Sequence, residues 1–555
     1  MLVMLIASRS AAPAAIHTWT GEGGANINWS EPSNWNGAAP ASGETDLELI
    51  FPTLNGHYAS NNDLSGLQVD SLIVTTQLSP GDYLFTGNSL TLSGLAEMSS
   101  PGSGNPNLVW QIPVTLGGDV TIQTSGRQIQ LDGPFELGAN TLTFNTVDGD
   151  ILLSGTISGS GNVVKNGGAA LTITSSNSYT GSTTANNGAL YIASATALGD
   201  TATGSTFNGG FLGFNPGSAF TISEPFVFSG GDILAYGTPT IAGPVTLNAT
   251  TDIQPFNANA VLTISGPIGG PGGLNKTGPG LLILSAPSNS YAGVTEVARG
   301  TLRLDAALSS TNPVTVNSEA TLKGHGSSQG AIGVQGGGTV APGSSPGQLS
   351  CSGLSMEAGA NFAAEINGPT PISQYDTIAV SGPVSLGGAT LNVALGYAPP
   401  DGQQFTLISQ SRKEAVSGTF AGLPEGGILQ VGNTIFGITY KGGAGNDVVL
   451  LAGPPHTPTI TPTLPLPTPT VTAVATHTQP PTPTATGAAP PCTGDCDGNG
   501  MVAVNELIVG VNIALGNLPL DECPRFDANG DGQVTIPELI EAVGNALTGC
   551  AAGAA

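Results

Sequence analysis

The chain has 555 residues, enough for several domains or one long solenoid with a large core. Its 37 carboxylates outnumber 11 Lys and Arg, and the net charge of −26 excludes nucleic acid and anionic membranes as partners. Gly (82) and Pro (42) are abundant, and aromatics make up only 5%.

The chain opens MLVMLIASRSAAPAAIHTW. Met1–Ala7 is apolar and Ala11–Ala15 offers the small residues that precede signal-peptide cleavage, so residues 1–15 read as a signal peptide. No basic residue precedes the apolar run, which fits a truncated start; a buried first strand is the alternative. No later apolar run approaches the roughly 20 residues of a membrane helix. Four of the five cysteines (Cys492, Cys496, Cys523, Cys550) fall in one terminal module, as in disulfide-stapled domains outside the cytoplasm, and Cys351 stands alone. The protein is expected to be exported, to the extracellular space or the cell surface.

Residues 16–452 read as mainly β. TLTFNTV (141–147), ALTITSS (170–176) and ATLNVAL (389–395) alternate apolar and polar side chains between Gly, Asn and Ser, the period of strands. The region also repeats itself. GSGNVVKNGGAALTITSSNSYTGSTTANNGALYI (159–192) returns as GPGGLNKTGPGLLILSAPSNSYAGVTEVARGTLRL (270–304). Lys165 falls on Lys276, Tyr179 on Tyr291, Gly181 on Gly293, and Gly188-x-Leu190 on Gly300-x-Leu302. One such strand-turn-strand unit cannot bury its apolar face alone, so units stack, with Gly where a corner needs positive φ.

The pattern K-x-G-x-x-x-L…Y-x-G-x-T…G-x-L resembles the passenger-associated β-strand repeat of bacterial autotransporters. HTWTGEGGANINWSEPSNWNG (17–37), GTVAPGSSPGQL (338–349), QYDTIAVSGPVSLGGATLNVALGY (374–397) and GTFAGLPEGG…ITYKGGAGNDVVLL (418–451) resemble further parts of such passengers. The resemblance implies a right-handed parallel β-helix over 16–452. Autotransporters end in a membrane β-barrel, and no segment here reads as one, so self-export by that route is not expected.

Residues 453–491 carry no charge and are rich in Pro and Thr, the composition of a semi-rigid extended linker whose threonines could carry sugars. Beyond it, Asp495, Asp497, Asn499, Gly500 and Glu506 match the calcium loop D-x-[DN]-x-[DN]-G-x₅-E, and Asp527, Asn529, Asp531, Gly532 and Glu538 match it again. Calcium takes about six to eight hard oxygen ligands. The first, third and fifth positions supply side-chain oxygens, Met501 or Gln533 a main-chain carbonyl, and the final Glu both carboxylate oxygens. Two bound Ca²⁺ are therefore expected. Position nine is Ala503 in the first loop, leaving room for water, and Thr535 in the second. An apolar helical run follows each loop (506–515 and 538–547), and the two halves align as a duplication.

Too little chain separates Cys492 from the first loop for an entering helix. This loop-then-helix order resembles a type I dockerin, and the resemblance implies a cohesin-like protein partner for residues 492–550. Four cysteines allow three pairings. The preferred one joins Cys492 to Cys550 across the module's ends and Cys496 to Cys523 at the loop starts. Residues 551–555 form a tail.

Other motifs are read as structural. Gly343-Ser-Ser345-Pro-Gly347 fits a nucleophile elbow, but Pro346 lacks the N–H that an oxyanion hole needs. Gly324-His325-Gly326 lacks the paired aspartates of a glycan-cleaving site, so His325 reads as a solvated turn residue. GGAGNDVVL (442–450) is a single copy of a calcium nonapeptide and reads as a turn closing the last strand. Trp19, Trp29 and Trp35 suggest a cap over the first coil before a carbohydrate platform. The remaining histidines (His17, His57, His456, His477) show no metal-ligand spacing. The expectation is a non-enzymatic surface or matrix protein for adhesion or structure, carrying a calcium-binding docking module and able to hold a glycan or cell-surface ligand on its β-helix. The alternative is a polysaccharide-associated component of an extracellular complex, with a glycan-cleaving site.

Overall fold

The computed structural model describes residues 15–54, 59–76, 83–100, 108–453, 492–548 and 550. The expected signal segment up to residue 14, the linker from 454 and the tail at 551–555 lie outside the described residues. Ala15, placed at the end of the signal segment by its sequence, opens the first strand, Ala15–Thr18. The chain divides into two compact units, Met1–Thr459 and Ile460–Ala555.

The first unit is a parallel β-solenoid. Its strands form four sheets, with 15, 16, 9 and 9 strands among the described residues. Sheet neighbours come from successive coils: Ile129 lies beside Ile151, Ile151 beside Leu171, Leu171 beside Leu190, and Leu190 beside Leu212. These side chains form an inward column shielded from solvent. The alternation in the sequence turns them inward; in Leu142–Thr146, Leu142, Phe144 and Thr146 are buried and the residues between them are not. A slip of one residue would expose a whole column, and each large apolar side chain contributes about 1.5–3 kcal/mol by its burial. Register follows from that. A third sheet opens at Thr221–Ile222, and a fourth at Ser288–Asn289, close to where the first ends at Ile268–Gly269.

The two ends of the stack are closed differently. At the first coils Trp19, Trp29 and Trp35 are buried around Phe51, with the Trp19 and Trp35 rings edge to face at 5.1 Å. Trp35 Nε1 donates to the Trp29 carbonyl at 2.7 Å. The aromatic column continues through Phe85 to Trp110. These tryptophans cap the coil and offer no open platform to a sugar. At the other end the purely parallel reading of 16–452 needs correction. Gln404–Gln410 pairs antiparallel with Asp447–Ala452, which pairs antiparallel with Thr434–Gly442, and that strand with Ile428–Val431. Among the described residues no further coil follows, and this antiparallel layer takes up strand edges that a following coil would use. GGAGNDVVL (442–450) forms its turn and last strand, with Asp447 Oδ1 accepting the Gln410 N–H at 2.9 Å.

The repeated polar residues join the coils from inside. Lys165 is fully buried, in register between Phe144 and Ala185. Its Nζ donates to the carbonyls of Asn166 (2.9 Å), Gly167 (2.9 Å) and Asn187 of the next coil (3.0 Å). Lys276 repeats the arrangement with Thr277, Gly278 and Arg299 at 2.9, 2.9 and 2.8 Å. An ammonium has three N–H donors, and each meets one carbonyl. The glycine of K-x-G has its own reason: Gly167 lies at φ +82°, and a Cβ there would approach the Thr146 carbonyl oxygen to 2.1 Å. Tyr179 and Tyr291, also buried, hydrogen-bond Thr183 and Thr295. Between coils, Asn186 Nδ2 donates to Asn166 Oδ1 and Asn208 Nδ2 to Asn186 Oδ1, both at 2.8 Å, a ladder of amides along the stack.

The second unit is built on two helices, α1 (Val504–Ala514) and α2 (Ile536–Thr548). They share a small core of Ile513, Cys523, Phe526, Val534 and Ala542. Gly510 lets the Phe526 ring lie against α1, since a Cβ there would come within 2.3 Å of it. Disulfides join Cys492 to Cys550 and Cys496 to Cys523, the pairing preferred above, and Cys351 of the solenoid is free and buried. No helix among the described residues is long and apolar enough to cross a membrane.

Two tests of the solenoid follow from its buried charges. Burial pushes Lys165 and Lys276 down to about 8, which leaves both protonated at neutral pH. Lys165→Met or Lys276→Met keeps the apolar stem but strands three carbonyls, and each should cost about 2–5 kcal/mol, read as a lower denaturant midpoint of the solenoid transition at pH 7. Glu224 is buried under the Ser205 hydroxyl, and burial pushes it from 4.5 up to about 8. Between those values the folded state holds a proton that the unfolded chain has released, so this group makes stability fall as pH rises. Glu224→Gln should remove that slope, lying close to the wild type near pH 5 and exceeding it by about 3–4 kcal/mol at pH 8.

Candidate metal centre

The two loops are laid out almost bond for bond alike. In the first, buried Asp495 accepts the N–H groups of Gly498 and Asn499 on Oδ1 and of Gly500 on Oδ2. Gly500, at φ +86°, makes the sharp turn that the sixth position requires. Asp497 accepts the Asn499 N–H, and Asn499 Oδ1 that of Met501. Glu506, in the first turn of α1, reaches back to the N–H groups of Ala503 (2.8 Å), Cys496 (2.8 Å) and Asp497 (3.2 Å). In the second loop Asp527 accepts Gly530, Asp531 and Gly532, while Asn529 accepts Asp531 and Asp531 accepts Gln533. Glu538 accepts Ala528, Asn529 and Thr535. The helix-borne glutamates thus cap their helices and face the loop at once.

Asp495, Asp497 and Glu506 each place an oxygen within 4.8 Å of the others. Calcium–oxygen bonds of about 2.4 Å put two ligands of one ion at most ~4.8 Å apart, so these three oxygens lie within the spread that one ion allows. All its donors are hard oxygens. The second loop's carboxylates do not gather so tightly among the described residues. The side chains of the third and fifth positions are bonded to each other in both loops: Asn529 Nδ2 donates to Asp531 Oδ2 at 3.0 Å, and Asn499 Nδ2 to Asp497 Oδ2 at 2.7 Å. Thr535 Oγ1 donates to Glu538, which ties it to the helix start.

Spacing alone did not reveal Arg525. Its Nη1 donates to Asp495 Oδ2 at 2.8 Å and to the Asp495 carbonyl at 3.2 Å, clasping the first loop from just before the second. The sequence did hold a signal, since Arg525 is the one Lys or Arg after Lys441. Burial opposes the Asp495 charge, but the N–H groups of Gly500 and Gly498, the Arg525 guanidinium and the Asn499 N–H outweigh it and hold the carboxyl below its usual range. Glu538 is held low too, chiefly by the Thr535 N–H.

The solenoid carries a separate cleft of about 620 Å³ lined by Lys323, Ser345, Glu365, Asp376 and Asn392 among others. Burial pushes Asp376 up to about 6, although the N–H groups of Glu365 and Gly347 each donate to it at 2.8 Å. Ser345 Oγ donates to Glu365 at 2.7 Å. His325 is exposed, 3.4 Å from Asp305 Oδ1.

With the geometry in place, the class is defined by the solenoid. Residues 163–192 and 274–304 match the family model Passenger-associated-transport-repeat, and these stretches contain the buried lysines and tyrosines described above. The chain is a parallel β-solenoid carrying autotransporter passenger repeats. Among curated proteins, the Adhesin BmaC autotransporter of Brucella suis biovar 1 (strain 1330) is 35% identical over 119 residues, 21% of this chain. The match spans 3% of that relative's own length.

Proposed function

We propose that the chain is a non-enzymatic stalk of the cell surface or extracellular matrix, acting in adhesion or structure, whose terminal module attaches it when loaded with two Ca²⁺. The observation that carries the stalk is the use of its polar groups: Lys165, Lys276 and the Asn166–Asn186–Asn208 ladder join one coil to the next. The passenger repeats and the adhesin relative support the same reading and a surface location. A glycan or cell-surface ligand would bind along the solenoid face.

Asp495, Asp497, Asn499, Met501 and Glu506 would hold one ion, and Asp527, Asn529, Asp531, Gln533 and Glu538 the other. Bound calcium would offset the mutual repulsion of the loop carboxylates in a module too small to bury much core. A cohesin-like protein is the partner that a dockerin-like arrangement would meet.

The second reading, a polysaccharide-associated and glycan-cleaving component, draws on Glu365 and Asp376 in the 620 Å³ cleft. Against it, both Asp376 oxygens hold main-chain N–H groups of the Gly343–Gly347 turn and the neighbouring strand, and among the described residues no aromatic side chain lines the cleft for a sugar to stack on. The stalk is the better supported.

Calorimetric titration of the full chain tests the metal assignment. The wild type should take up two calcium ions, and Glu506→Gln and Glu538→Gln should each weaken one site by at least about tenfold, because an amide cannot replace the charged bidentate clamp. Fewer than two sites, or a double variant that binds as the wild type does, would contradict it.

A further inference from the structure

The outer face of the 16-stranded sheet carries one aromatic side chain on each of four successive coils. Tyr191 lies on Ala189–Ile192 and Phe211 on Phe211–Phe214, while Tyr236 directly follows Asp232–Ala235 and Phe256 follows Thr251–Pro255. Each strand pairs in parallel with the next, about 4.8 Å away. Leu190, Leu212 and Ala235 beside them point inward and are buried; the four rings stay partly open, and Phe256 is 47% exposed. The Tyr191 and Phe211 rings meet edge to face at 5.6 Å, and those of Tyr236 and Phe256 lie 4.7 Å apart. Tyr191 is in register with Gly213, where a Cβ would come within 2.2 Å of its ring. The ring therefore lies down along the sheet in the space that glycine leaves.

A line of carboxylates runs beside the rings. Asp232, in register with Phe211, accepts the Asp252 N–H on Oδ1 at 2.9 Å. Asp252 Oδ1 accepts from Asn275 Nδ2 at 2.8 Å, and Asp150 Oδ1 accepts the Ala170 N–H at 2.8 Å. One oxygen of each is thus held, and among the described residues the Oδ2 atoms meet no protein donor. Burial, then the neighbouring Tyr236 hydroxyl and the Asp150 carboxylate, push the Tyr191 hydroxyl up to about 12, so it too keeps its proton. From residue 128 to 298 the only Lys or Arg are Lys165 and Lys276, both fully buried, and no His occurs there.

This surface offers ring faces to C–H groups and oriented carboxylate oxygens to O–H donors, and it repels anions. A pyranose presents both partners at once, C–H groups on its faces and hydroxyls around its rim. A protein partner needs ~800 Å² on each side, well beyond four partly covered rings. A lone cation is held by rings gathered around it, whereas these are spread over four coils.

We propose that this face binds a neutral, extended glycan laid across the four coils. Its sugar rings would pack on Tyr191, Phe211, Tyr236 and Phe256, and its hydroxyls would donate to Asp150, Asp232 and Asp252. The proposal rests on the reading of the solenoid face as a glycan-holding surface and gives that surface a place.

Calorimetric titration of the full chain with cellohexaose and with chitohexaose tests it, with polygalacturonate as the anionic control. At least one neutral hexamer should bind with a Kd of about 1 mM or tighter, and polygalacturonate should not bind. The affinity should survive about 0.5 M NaCl, because stacking and hydrogen bonds are not screened as charge attraction is. Tyr191→Ala with Phe256→Ala should weaken binding at least about tenfold. Gly213→Ala keeps every ring and carboxylate but fills the space under Tyr191, and should weaken binding in the same direction. Circular dichroism should show wild-type strand content in both variants. Binding of neither hexamer, as expected if the face meets a protein instead, would overturn the proposal. So would binding abolished by salt, or variants that bind as the wild type does. In the last case the glycan reading stands and its site lies elsewhere, which separates the two failures.

Discussion

A strand-turn-strand coil has no partners for its main-chain N–H and C=O groups except those of the coils on either side. Strands can meet that demand by parallel pairing, but corners cannot, because the chain turns there and its carbonyls point into the core. In this protein the buried ammonium groups of Lys165 and Lys276 answer the problem, each gathering two carbonyls from its own corner and one from the next coil. The tight corner, the glycine at positive φ and the inward lysine form one device. Removing any part leaves buried carbonyls without donors.

This device explains why the passenger repeat is legible as a motif while its mechanism is not. In NVVKNGG the lysine sits in an alternating stretch where a charged residue is naturally read as facing water. Its inward position depends on the carbonyls that the next coil delivers, a tertiary fact. The strands of TLTFNTV and ALTITSS were readable because their period is local, and the paired repeats made stacking readable as well. The antiparallel layer at 404–452 was not, since its strands alternate like the rest and only the lack of a following coil decides their direction.

The terminal module divides in the same way. Loop residues were legible because their bonds are made within a few positions: Asp495 to Gly498 and Gly500, Asp527 to Gly530 and Gly532. Arg525 on Asp495 joins the two halves and has no local signature. The apolar runs after each loop announced helices, yet their composition did not say that apolar residues would lie on both sides. A helix apolar all round is ordinarily buried all round. Here one side closes a small disulfide-bound core and the other is left free.

We propose that the solenoid takes its order from its stacked coils alone and that the terminal module takes its order from bound metal. Hydrogen–deuterium exchange of the full chain, with calcium and with chelator, tests both halves in one experiment. Solenoid strands from Ile129–Leu131 to Thr390–Leu395 should be equally protected in both conditions, while protection across 495–506 and 527–538 should rise with calcium. Loops that exchange identically with and without the ion, or solenoid strands that loosen on chelation, would contradict the account.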